Sequence, residues 1–234
     1  MPTKIASFWE DFIDILYPRV CASCHDLLVG TEYELCTRCL LTLPRLQTDG
    51  MIGSHVRDKF IGYQQVVSVQ SFLEYQSGGK VQRLLHALKY RGDEALGVLM
   101  GRLCAEEWSS QGKIPQADVL VPVPLHPRKL RERGYNQSEA FARGFSEISG
   151  IQVDTGLLSR EIYTLSQTGK SKAERIASMQ GVFCVRTGVD VSALRIILMD
   201  DVLTTGATLE ACIAVLIEAG CRELHIITIA AARY

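Results

Sequence analysis

The chain of 234 residues is predicted to be an α/β protein: a parallel sheet flanked by helices, preceded by a small four-cysteine module. Three observations predict it. From Val66 onward, short apolar runs alternate with helix-periodic segments. One of those runs leads into paired aspartates and a Thr/Gly turn, and four of the eight cysteines stand near the N-terminus as two CxxC pairs. Composition agrees, with 47% hydrophobic and 22% charged residues, as in ordinary globular domains.

Residues 4–17 carry Ile5, Phe8, Trp9, Phe12, Ile13, Ile15 and Leu16 at near-helical spacing, which predicts a short amphipathic helix ending at Pro18. Packing against the cysteine module suits it better than a membrane surface does. Glu10, Asp11 and Asp14 interrupt any signal-peptide pattern, and no apolar run reaches the ~18 residues of a membrane span. The expectation is a cytosolic protein without membrane insertion.

Cys21-x-x-Cys24 and Cys36-x-x-Cys39 lie eleven residues apart, with Gly30 available for the intervening hairpin. Each CxxC turn presents two thiolates to one ion, and two turns close a tetrahedral S4 shell, the donor set of structural Zn²⁺. His25 competes as a ligand, although four cysteines leave no vacancy for it. Cys104, Cys184, Cys212 and Cys221 fall in apolar surroundings and read as small buried hydrophobes. The predicted division is 1–45 for helix and zinc-ribbon module, 46–65 for a connector, and 66–234 for the main domain.

Strands are predicted at Val66–Phe72, Asp118–Val123, Leu194–Asp200 and Leu224–Ala231, each nearly continuously apolar as in a strand covered on both faces. Helices are predicted around 80–89, 93–110, 135–149 and 207–219. This alternation is the pattern of a parallel sheet with helical crossovers.

The run from Leu194 to Thr208 carries the functional argument. An apolar strand delivers Asp200 and Asp201 to the carboxyl edge of the sheet, where ligands of open α/β folds bind. Thr204, Thr205, Gly206, Ala207 and Thr208 follow, opening a helix. Gly206 permits close backbone approach, the amides and hydroxyls donate, and the helix dipole favours an anion. Acidic acceptors beside an anion cup fit a ligand bearing both hydroxyls and phosphate. A dinucleotide GxGxxG is missing, and Gly169-Lys170-Ser171 lacks the first glycine of a P-loop, position 164 being Thr.

The Met-Asp-Asp-Val-x-Thr-Thr-Gly-Ala-Thr run resembles the phosphoribosyl pyrophosphate (PRPP) motif of type I phosphoribosyltransferases. A second layer is similar to the ComF family (ComFC and GntX-like proteins): Val121 to Gln137 with His126 and Arg128, Gln167 to Arg175, Gly181 to Phe183, and His86 to Gly92. The cysteine module matches as well, so the likeness spans nearly the whole chain. Lys170 stands where that family usually has Leu, and Ser178 where it often has Asn.

The resemblance implies a type I phosphoribosyltransferase-like sheet in which Asp200 and Asp201 meet ribose hydroxyls and 204–208 hold the 5′-phosphate. It also implies that the loop of Lys89, Tyr90 and Arg91 faces pyrophosphate, which brings Mg²⁺ with it. Arg128, Lys129, Arg131 and Arg133, against Glu132 alone, form a cationic stretch for pyrophosphate or a DNA backbone, joined by Tyr135, Asn136 and Gln137. A solvated loop and a helix cap are the bland readings of these two sets. ComF proteins are associated with natural competence, so single-stranded DNA and a ComFA-type helicase are the implied partners. A working transferase with Asp200 and Asp201 as its catalytic pair, or a PRPP-sensing metabolic protein of GntX type, remains open.

Overall fold

The computed structural model describes residues 18–46, 56–161 and 181–232. The predicted helix at 4–17, residues 47–55 of the connector, the Gln167–Arg175 run with Lys170, and Ser178 lie outside them.

In chain order the elements are α1 (Thr37–Thr42), β1 (Val66–Tyr75), α2 (Lys80–Tyr90), α3 (Glu94–Ser110), β2 (Val119–Pro122), α4 (Pro127–Arg133), α5 (Gln137–Ser149), β3 (Leu158–Arg160), β4 (Phe183–Val185), β5 (Arg195–Leu203), α6 (Ala207–Glu218) and β6 (Glu223–Ala232). Four strands form a parallel sheet in the order β1-β6-β5-β2. All four predicted strands and the four main predicted helices are present. β3 and β4 add a two-stranded antiparallel sheet that the sequence did not announce, because three-residue strands carry no readable period.

The central strand β5 shows why its sequence is continuously apolar. Ile197 and Met199 pack with α2, α3 and α5, while Ile196 and Leu198 pack with α6 and the β3–β4 pair. Alternate residues serve opposite layers, so neither set can be polar. No helix of the described residues is long and apolar enough to cross a membrane.

The layer of α3 and α5 depends on glycine. A Cβ on Gly101 would stand 2.1 Å from the Phe141 carbonyl oxygen, and one on Gly144 would stand 2.0 Å from that of Val98. The backbones touch there, and a methyl group must force the helices apart. Gly144→Ala is expected to cost about 2–3 kcal/mol, read as a fall in the urea midpoint.

The cysteine module is joined to the domain rather than tethered to it. Cys21, Leu35, Cys39 and Leu43 share one core with Phe72, Leu73, Leu84 and Leu88. Residues 44–46 then run antiparallel along β1, where the Leu46 amide donates to the Phe72 carbonyl (3.0 Å) and the Glu74 amide to that of Pro44 (2.9 Å). Arg45 lies over the Phe72 ring and pairs with Glu107 of α3 at 2.7 Å.

Candidate functional site

Strand β5 does not stop at Asp200. Its ladder with β6 continues through Asp200↔Thr228 to Leu203↔Ala231, so both aspartates sit inside the strand. The predicted end at Asp200 was short because two acids look like a strand boundary, whereas the backbone ladder ignores side-chain polarity. Thr204–Gly206 then turn, and α6 starts at Ala207 with Gly206 as its N-cap in the left-handed region (φ +89°). Asp200 and residues 202–209 line one polar pocket at this turn.

The two carboxylates have separate partners. Ser138 Oγ donates to Asp200 Oδ1 at 2.9 Å, as does the Asp201 amide at 2.8 Å. Lys89 Nζ pairs with Asp201 Oδ2 at 2.8 Å, and both side chains are largely buried. Burial pushes the Asp200 carboxyl up to about 7, with the adjacent Asp201 charge adding to it. Burial alone would lower Lys89; the Asp201 carboxylate outweighs it and raises the ammonium above its ordinary value. Lys89, expected to face pyrophosphate, answers the acidic pair in this arrangement. Tyr90 and Arg91, which follow it, are exposed.

The turn has further supports. Lys59 Nζ donates to the Thr204 carbonyl at 2.6 Å, and a Cβ on Gly206 would come within 3.3 Å of the Phe60 ring. Both residues lie in the stretch read as connector, and nothing in their local pattern pointed to a site 145 positions away. Ser138 gave no signal either. Gly206→Ala combines a left-handed backbone with the Phe60 contact. It is expected to cost about 1–2 kcal/mol and to lower anion affinity, measured by thermal melting and by phosphate titration.

The cationic stretch is corrected from a loop to the two-turn helix α4. Pro127 occupies its first turn, the His126 ring accepts from the Arg128 amide at 3.1 Å, and Gly134 ends it in the left-handed region. Arg128 and Lys129 both pair with Glu132, at 3.1 and 2.8 Å. Arg131 is exposed, whereas Arg133 is half-buried. Arg133 donates to Gln137 at 2.7 Å and its guanidinium lies 6.0 Å from the centre of the Tyr90 ring.

Tyr135, Asn136 and Gln137 are turned inward, which corrects their expected place as DNA or pyrophosphate contacts. The Tyr135 hydroxyl donates to the Leu88 carbonyl, and burial pushes its pKa above that of an ordinary phenol. Asn136 caps α5 through the Ser138 amide (3.1 Å) and donates to the Val123 carbonyl (3.0 Å). Gln137 Nε2 donates to Leu88 at 3.3 Å. These contacts hold α2, β2 and α5 around the acidic pair.

The four module cysteines bring their sulfurs within 4.8 Å of one another, compatible with structural zinc. Burial opposes ionisation of Cys21, yet amides of Cys36, Cys24 and Ser23 aimed at the sulfur bring it down to about 7. Burial pushes Cys39 up to about 12, so that sulfur loses its proton when a cation arrives. Among the described residues this is the one such cluster.

No family model matches the chain. It is 26% identical over 167 residues to the DNA utilization protein YhgH of Salmonella typhi, covering 70% of each. It is 24% identical over 205 residues to competence protein ComFC of Streptococcus pneumoniae (88% of this chain, 84% of the relative). It is 30% identical over 117 residues to competence protein F of Haemophilus influenzae, about half the length of each. The chain is a homologue of proteins named competence protein F, ComFC and YhgH. The resemblance read from the motifs is thereby borne out. Among solved structures it is similar to the allosteric regulatory enzyme of purine biosynthesis (24% identity, TM-score 0.39, 57% of this chain and 26% of that one) and to a purine phosphoribosyltransferase from Pyrococcus horikoshii (16%, TM-score 0.35, 57% and 80%). The chain thus spans about a quarter of the first of these.

Proposed function

We propose that the chain binds a phosphorylated ribose, PRPP by preference, at the β5–α6 turn, and that it serves natural competence by handling incoming single-stranded DNA in the cytoplasm. The observation that carries the site is the pocket at the carboxyl edge of the central strand, shared by Asp200 and the Thr204–Thr208 turn. Amides, hydroxyls and the α6 dipole suit the 5′-phosphate, and the carboxylates suit the ribose diol. Lys89, Tyr90 and Arg91 border the pyrophosphate end, whose charge brings Mg²⁺. The names of the homologues support the role in competence, with a ComFA-type helicase as partner.

The pocket has a pH signature. Hydroxyls donate best to an ionised acceptor, so PRPP affinity should rise about tenfold between pH 6 and pH 8 as Asp200 loses its proton near 7. Calorimetry on Asp200→Asn supplies the control, since ionisation of PRPP itself persists there. An equal slope in both proteins would remove Asp200 from the contact.

For DNA, α4 provides the outward cations Arg128, Lys129 and Arg131. Labelled single-stranded DNA should bind at low salt and weaken steeply as salt rises, and neutralising these three should reduce the logarithmic salt slope by about 2. An absence of any mobility shift at low salt would count against the role.

The transferase reading has its own support. A carboxyl held near neutrality beside a ribose site can accept a proton from an attacking nucleophile. Pyrophosphate release from PRPP with a panel of bases and single-stranded DNA tests it; silence across the panel leaves binding without turnover.

A further inference from the structure

We propose that the first cysteine knuckle positions the last turn of α2 and the loop that follows it, residues 89–93, with His25 as its contact residue. Filling of the cysteine cluster and filling of the ribose-phosphate site then strengthen one another. The inference rests on the PRPP reading above.

The knuckle grips α2 at both ends. At the first turn, Arg83 Nε donates to the Ser23 carbonyl at 2.5 Å, and Ser23 Oγ donates to the Lys80 carbonyl at 3.5 Å. At the last turn, an Arg91 nitrogen stands 3.3 Å from His25 Nε2. A guanidinium only donates, so the imidazole accepts through Nε2 in this contact.

His25 is able to reach Arg91 because the knuckle holds it in an unusual shape. Its backbone is left-handed (φ +66°), and its amide donates to the Cys21 carbonyl at 2.9 Å, closing the CxxC turn. A histidine in that region is strained and needs the turn around it. A metal tying Cys21 to Cys24 fixes that turn. From the other knuckle, Glu34 lies against Asp93, the residue that caps α3.

On its far side the last turn of α2 carries Lys89, whose ammonium meets Asp201. The contacts therefore run in one sequence: Cys24, His25, Arg91, the last turn of α2, Lys89, Asp201. A loop free to choose among arrangements must be ordered before it can meet pyrophosphate. A loop already held by the knuckle spares that cost. Linkage makes the effect reciprocal, so bound PRPP must tighten metal binding by the same equilibrium factor.

The test measures the zinc affinity of the full chain by equilibrium competition with pyridylazoresorcinol, with Mg²⁺ throughout, with and without saturating PRPP. In the wild type PRPP is expected to tighten zinc at least about fivefold, the lower range of ordinary coupling. His25→Gly removes the acceptor and suits the left-handed backbone. It should retain one zinc per chain yet hold it with the same affinity with and without PRPP. His25→Gln, which restores an acceptor of similar reach, should regain the effect. If PRPP binds the wild type by calorimetry but leaves the zinc affinity unchanged, the coupling is wrong and the PRPP site stands. Full tightening in His25→Gly overturns the role of His25. No PRPP binding to the zinc-loaded wild type overturns both readings.

Discussion

Stripping the metal, or changing Cys39 to Ser, is expected to lower the melting temperature of the whole domain by about 10 °C or more, and not merely to loosen residues 18–45. Cys39 and Cys21 are fully buried and belong to the same apolar core as Phe72, Leu73 and Leu84. Loss of the S4 shell frees that side of the core to hydrate. Structural zinc contributes about 10–16 kcal/mol in isolated finger peptides. Forfeiting even about 5 of these consumes a large share of an ordinary domain's stability, and about 2–4 °C accompanies each kcal/mol at this size. Scanning calorimetry of zinc-loaded and chelated protein decides. A main transition unmoved by chelation would show that the module stabilises only itself.

Asp200→Asn is expected to weaken PRPP binding by about 100-fold, still within reach of titration, while making the empty protein more stable at pH 8. Two charge-assisted hydrogen bonds to the ribose diol account for the first effect, at about 1.5–3 kcal/mol each. The second follows from linkage. Folding raises Asp200 to about 7, above its unfolded value, so the folded chain holds an extra proton between about 4 and 7. Stability is therefore present at low pH and lost as pH rises through that window. An amide escapes the loss and still accepts from Ser138 and from the Asp201 amide. A gain of about 1–2 kcal/mol should appear at pH 8 and vanish at pH 4. Asp201→Asn behaves oppositely, because it strands the Lys89 ammonium that Asp201 neutralises, and it should destabilise the fold as well as weaken binding. Urea midpoints at both pH values, set beside PRPP titrations, separate the two acids. A destabilised Asp200→Asn at pH 8 would show that its charge serves the fold instead of the site.

Much of this arrangement was legible in the chain because its signals are short. Continuous apolar runs marked β1, β2, β5 and β6, and the Thr204–Thr208 run marked the start of α6, since strand and turn preferences act over a few neighbouring residues. The CxxC spacings announced the sulfur cluster for the same reason. Where a local signal had two meanings, the choice went astray. Four cations in six residues read as a flexible loop for pyrophosphate or a DNA backbone, yet Pro127 and Gly134 bracket a helix that pairs two of them with Glu132. Tyr135, Asn136 and Gln137 read as surface contacts. Their polar groups instead serve carbonyls of Leu88 and Val123, 47, 13 and 49 positions away respectively.

By itself the sequence determined the layered α/β design, the two CxxC pairs, and the junction at which acids meet an anion cup. Each of these depends on residues within about a dozen positions of one another. Only the tertiary structure decided that Lys89 belongs to Asp201, that Lys59 supports Thr204, and that His25 touches Arg91. Such pairs are selected by which faces α2, β5 and the cysteine knuckle bury together. That choice is a property of the packed core, and no spacing along the chain records it.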